Sequence, residues 1–368
     1  MIVNHAREKS PTTAQRINGL MTIEDSRHKR WQIIFSFLLP PASLLIAVLL
    51  FEVALRIVGY LPHLDTEWVL RSDRIPDRDV LLIPAKFLQP SFYTTDPARG
   101  TIIALGDSFT EGYPVDSQNT YPAILDRMLK DRGVGLQVIN AGIGDSGPDQ
   151  QLRFLQNHLL PRLKPAIVIW TFYSNDLEDN YKKATYGLVD GRLVPLDGRR
   201  HWLYIRQAVH LWAPVPSWVK SHSLTYQLFL KVIERVNPVV LPAAYAKNPT
   251  AWAAEKLRLE IQMIKKIAAE KNFLVYFVLI APEPVYDPKL QNDPWLRPAV
   301  VEAYQRILAI LKDENHFIHA WFPDTDSARI FVDGKRDPNV LGNRHYNESG
   351  YALLAETVAR RLKRDGLL

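Results

Sequence analysis

From Thr101 onward, short apolar runs alternate with stretches whose hydrophobic residues recur every three or four positions. The runs are Thr101–Leu105, Leu136–Asn140, Ala166–Phe172, Phe273–Ile280 and Phe317–Trp321. Helical patterns lie between and after them, around Tyr121–Lys130, Gln150–Leu163, Ala251–Lys271, Val300–Lys312 and Ser349–Leu362. Strands that are apolar throughout and separated by helices predict a parallel sheet covered on both faces, an α/β fold. Residues 181–250 interrupt this alternation with Trp202, Trp212, Trp218 and repeated Pro, and read as an inserted helical or loop segment whose aromatics are expected in the core.

A different pattern comes first. Residues 1–31 are polar and carry Arg7, Lys9, Arg16, Arg27, Lys29 and Arg30, whereas Ile33 to Phe51 is a run of nineteen residues without a formal charge. A helix needs ~20 residues to cross a bilayer core, so one transmembrane helix is predicted over 32–57. A cleaved signal peptide would have a shorter run and small residues where Phe51, Glu52 and Leu55 stand. Pro40-Pro41 predicts a kink, which bilayer helices tolerate. The basic cluster should keep residues 1–31 in the cytoplasm. The rest would lie across the inner membrane of a bacterium, in the periplasm or outside. Residues 58–99, rich in Pro, Asp and aromatics, read as an extended approach to a domain over 100–368.

Composition narrows the classes. With 47% hydrophobic and 23% charged residues in 368, the chain is neither disordered nor collagen-like. The absence of Cys removes disulfides, thiolate zinc sites and cysteine nucleophiles, and is compatible with an oxidising compartment. The charge of +6, from 45 Lys+Arg against 39 Asp+Glu, is too diffuse to argue for nucleic acid.

Chemistry-bearing residues gather at run ends. Gly106-Asp107-Ser108-Phe109 follows the first run, and in an open parallel sheet ligands collect at the carboxyl ends of strands. Ser108 is thus placed as a nucleophile, which needs a base from elsewhere in the chain. Asn140 to Gly147 ends the second run and Tyr173-Ser174-Asn175-Asp176 the third. Close glycine amides and the Asn175 amide, with the Ser108 N–H, could surround an oxyanion. The base candidate is His345, in a loop before the last amphipathic helix. His158, His201, His210, His222, His316 and His319 have no comparable setting, and no His and carboxylate grouping has metal-ligand spacing.

Four blocks in this order resemble the SGNH/GDSL hydrolase superfamily: Gly106-Asp107-Ser108, Gly142 to Gly147, Asn175-Asp176 and His345. The segment from Phe172 to Asn180 is similar to that of membrane-anchored bacterial members. The resemblance implies a flavodoxin-like three-layer α/β/α sandwich and no metal or organic cofactor. It also implies Ser108 as nucleophile, His345 as base, and an oxyanion hole of the Ser108 amide, a glycine amide and the Asn175 side chain. Three departures stand out. Ser174 replaces the usual Gly. The glycine donor is Gly144 if the blocks are aligned on Gly-Asp, but Asp145 in a gapless alignment through Gly147-Pro148-Asp149-Gln150. Gly342 stands where the family often has Asp three before the histidine, leaving Asn343 as an orienting group or a carboxylate folding back from Asp333 or Asp337.

The sequence therefore predicts a membrane-anchored serine esterase or acyltransferase acting on ester-linked acyl groups, acetyl among them, of an envelope carbohydrate. Its rivals are a lipid esterase at the bilayer surface and a non-catalytic binding or assembly subunit for envelope polysaccharide.

Overall fold

The structure is a computed structural model and describes residues 36, 38–59, 73–212, 214–236, 248–287, 299–332 and 344–368. These fall into two units, one drawn from 1–63 with 215–229, the other from 64–214 with 230–368.

In the larger unit the five expected runs form one parallel sheet. Its strands are β1 (Gly100–Gly106), β2 (Leu136–Gly142), β3 (Pro165–Phe172), β4 (Leu274–Ile280) and β5 (Phe317–Ala320), in the order β2-β1-β3-β4-β5. This is the flavodoxin-like doubly wound order, in which the direction of strand addition reverses between β1 and β3. Side chains of successive residues leave opposite faces of a strand. Hence Ile103, Leu105, Val168, Trp170, Phe277 and Leu279 enter one apolar layer, while Ile102, Ala104, Ile167, Ile169, Val278 and Ile280 enter the other.

Helices cover both layers. On the second face lie α1 (Tyr121–Asp131) and α6 (Glu348–Arg364); on the first lie α2 (Pro148–Phe154), α3 (Asp176–Lys182), α4 (Pro249–Lys271) and α5 (Ala299–Leu311). Three of the helix starts are written locally. Thr120 and Asn248 accept hydrogen bonds from the Ala123 and Ala251 amides, with Pro122 and Pro249 in the first turns, and Asn347 caps α6 through Ser349 and Gly350.

Two segments differ from expectation. Residues 73–98 contain an antiparallel hairpin, Arg74–Asp77 with Leu81–Pro84, and two 3-10 turns, and they bury Val80, Ile83 and Phe87 in the main core. Short apolar stretches among prolines hid that pairing in the sequence. The inserted segment holds a second hairpin, Tyr186–Val189 with Arg192–Pro195, and helices Trp202–Trp212, Ser217–His222 and Leu224–Val236. Trp212 and Trp218, expected in the core, are 64% and 69% exposed.

In the smaller unit, one apolar helix, Leu38–Ile57, continues through Pro40-Pro41 with a mean hydropathy of 2.2 and is long enough to cross a membrane. Near its end, Glu52 accepts hydrogen bonds from the Leu224 and Thr225 amides and the Ser223 and Thr225 hydroxyls. A carboxylate there caps the first turn of helix Leu224–Val236.

Candidate active site

The first strand delivers the turn that carries Ser108. Gly106 leaves β1 at φ 157°, where a Cβ would meet the Thr110 hydroxyl at 2.2 Å, so only glycine fits between strand and turn. Asp107 then accepts a hydrogen bond from the Phe109 amide at 2.9 Å and starts the single helical turn Ser108–Glu111. Gly142, at the end of β2, lets that turn pack closely: a Cβ there would lie 2.1 Å from the Glu111 amide nitrogen.

Ser108 and His345, 237 positions apart, meet here. The Ser108 hydroxyl lies 2.7 Å from His345 Nε2, and the two residues are 8% and 6% exposed. An imidazole nitrogen at this range can take the proton of a hydroxyl. The ring lies 4.9 Å from the Phe109 ring and 5.1 Å, edge to face, from Tyr113. The loop carrying it is fastened by its backbone: Val332 N donates to His345 O at 3.0 Å, and Phe331 bridges Tyr346. Arg344 next to it forks onto buried Glu283, with Nε 2.9 Å from Oε2, and also donates to Val332 O. Asn343, Gly342, Asp333 and Asp337 lie outside the described residues.

The remaining candidates converge on the same turn. Asn175 donates through Nδ2 to Asp179 at 2.9 Å, and its side chain also lies against Asp107. Asp179 pairs with Lys183 at 2.7 Å, and Lys183 also holds the Asp145 carboxylate and carbonyl. Gly144 and Asp145 differ in setting. The Gly144 amide donates to Glu111 Oε2 at 2.8 Å, and Arg74 grips the same carboxylate at 2.7 and 2.9 Å. Asp145 has φ 64°, the left-handed region where glycine is usual.

Charge is costly in this pocket. Burial pushes the Asp107 carboxyl up to about 6, against the Phe109 amide and the nearby His345. Burial and the Asp107 charge raise Asp176 well above the carboxylate range. For Lys183 burial pulls downward, but Asp145 and Asp179 outweigh it and raise the ammonium. A buried cation among carboxylates neutralises part of that cost.

Several of these partners were missed in the sequence. Arg74 lies in the stretch read as irregular. Glu283 could have been found by the rule that located Ser108, since it follows the carboxyl end of β4. The fold also brings ligand atoms of Asp77 and Asp79, from the first hairpin, and of His158, just after α2, within 4.8 Å of one another, a grouping absent from the sequence spacing. Arg153 occupies Asp79 and two backbone amides occupy Asp77 Oδ1, which makes an ion-pair cluster there.

The GDSL-like lipase/acylhydrolase family matches residues 104–353. Among solved structures, a lipolytic protein of the G-D-S-L family from Desulfitobacterium hafniense is 15% identical, covering 72% of this chain and 100% of that one at a TM-score of 0.34. An acetyl xylan esterase is 15% identical over 71% of this chain and 98% of its own, TM-score 0.38. A catalytic mutant of an acetylxylan esterase from Geobacillus stearothermophilus is 14% identical, with 73% and 96% covered, TM-score 0.37. No curated protein matches the chain.

Proposed function

The chain belongs to the GDSL-like lipase/acylhydrolase family, and from that premise we propose that Ser108 and His345 cleave or transfer ester-linked acyl groups on an envelope carbohydrate. The observation that carries this reading is the 2.7 Å contact between the Ser108 hydroxyl and His345 Nε2. Ser108 Oγ attacks the ester carbonyl while His345 takes its proton. The tetrahedral oxyanion is received by the Ser108 amide, a block-two amide and the Asn175 side-chain amide. For block two, the engagement of Gly144 by Glu111 favours the Asp145 amide. The Lys183 pair draws the Asp145 carboxylate away from a developing negative charge. His345 returns its proton to the leaving alcohol, and water or a sugar hydroxyl releases the acyl group by the reverse steps.

The apolar helix Leu38–Ile57 supports an enzyme held at a membrane, with its N-terminus in the cytoplasm and the catalytic domain on the envelope side. The test is covalent labelling of the full chain in detergent by a fluorophosphonate. Wild type should label, Ser108→Ala should not, and His345→Ala should label at least a hundredfold more slowly. Failure of the wild type to label would favour the non-catalytic binding subunit. Turnover of acetylated glycans against phospholipid vesicles then separates the carbohydrate esterase from a lipid esterase.

A further inference from the structure

A groove of about 470 Å³ runs along the outer edge of β5, outside the catalytic pocket. One wall is the strand itself. Phe317, His319 and Trp321 alternate along it on one face, their rings 6.0 and 5.8 Å apart and inclined by 21° and 31°. Trp321 is 46% exposed. The other wall is the last turns of α6, with Arg360, Arg361 and Arg364. Phe317 and His319 leave β5 on the face covered by α5, where His319 Nε2 meets the Tyr304 hydroxyl, so the groove wraps around the sheet edge from exposed Trp321 to the arginines of α6.

Resting on the carbohydrate reading above, we infer that this groove holds an acidic glycan strand, one of whose sugar faces stacks on Trp321 and whose carboxylates pair with Arg360 and Arg364.

The three arginines are not equivalent. Arg361 is committed to the fold: it donates to Phe317 O and Asn315 O and pairs with Asp365 at 2.7 Å. Arg360 is exposed and bonds Thr357 at 3.0 Å, with no carboxylate paired to it among the described residues. Arg364 is 72% exposed and meets Asp365 only at 3.9 Å. Asp365 thus offsets one of the three charges. A surplus of two suits a chain with spaced carboxylates and is poor for a nucleic acid, whose phosphates demand many more cations. Arginine forks match a carboxylate with two parallel hydrogen bonds, and aromatic faces take the apolar face of a sugar ring.

Strand addition by a peptide fits less well. Parallel pairing with β4 turns Phe317 O outward, and Arg361 already occupies it. The free edge is also only four residues long.

The groove leads to the reacting end of the sheet. Trp321 and Phe322 follow the carboxyl end of β5, and the Phe322 ring lies 6.4 Å from Tyr346, the residue after His345. A glycan lying there would extend away from an ester held at Ser108.

The test measures binding of a hexameric oligogalacturonate, with a neutral xylan hexamer as control, to the full-length Ser108→Ala protein in detergent. The acidic oligomer should bind at least tenfold tighter than the neutral one and weaken as salt rises. Adding Arg360→Ala and Arg364→Ala should lower its affinity about tenfold, and Trp321→Ala should lower affinity for both oligomers. Equal binding of the two oligomers, no binding of either, or indifference to the paired arginine substitution would overturn the assignment. Fluorophosphonate labelling of the wild type reports separately on catalysis. A protein that fails to label but retains arginine-dependent binding would lose its enzymatic reading and keep this groove.

Discussion

Asp107 carries a charge into a place where water cannot reach it. Its ordinary carboxyl value of 3.8 describes the unfolded chain, whereas burial raises it to about 6 in the folded protein. The native state therefore holds the proton more tightly. That contribution to stability is complete below about pH 3.8, is lost as pH rises through 6, and is absent above it. Asp107→Asn keeps an oxygen for the Phe109 amide and removes the titration. The stability of wild type relative to this variant should fall between pH 4 and 7, by up to about 3 kcal/mol. Denaturant unfolding of both proteins at the two pH values reads it, and a constant difference would refute the account. Asp145 makes a second case. The proposed oxyanion site uses its amide, and its φ of 64° suits glycine. Asp145→Gly should keep kcat on a small ester within about fivefold. A loss beyond a hundredfold would mean that the carboxylate itself is needed.

Elements decide how firmly His345 is aimed. The His345 loop packs against Phe331 and Val332 and is joined to the end of β4 through Arg344 and Glu283. Glu283 is fully buried, so removing its charge leaves a guanidinium poorly matched in a low-dielectric site. Glu283→Gln should lower kcat on a small ester about tenfold with KM little changed, because His345 is displaced while the ester pocket stays intact. It should also lower stability by about 3 kcal/mol. An unchanged kcat beside lowered stability would make the pair purely structural. The same elements explain why Gly106 and Gly142 stand where they do: a one-turn helix must pack on two strand ends at backbone distance.

Taken whole, the chain joins an α/β domain to a helix with the length and hydropathy of a membrane span. Alkaline carbonate should leave the full-length protein in the membrane pellet; extraction into the supernatant would argue against a spanning helix. All five strands were readable as apolar runs because a parallel sheet buried on both faces leaves no polar alternation to blur them. Glycines and run ends likewise pointed to the Ser108 turn and to the candidates Ser108 and Asn175, since these are local requirements of backbone geometry, and the loop before the last amphipathic run pointed to His345. The hairpin of residues 74–84 and the exposure of Trp212 and Trp218 were not readable, because propensity in short Pro-rich or aromatic-rich stretches does not say which neighbour covers them. Nor were the pairings of Glu111 with Arg74 and Gly144, of Lys183 with Asp145 and Asp179, or of Arg344 with Glu283. Hydrophobic periodicity is a property of neighbours along the chain and fixes which element forms. A hydrogen bond between side chains dozens or hundreds of positions apart depends on how those elements stack, and only the folded molecule settles that.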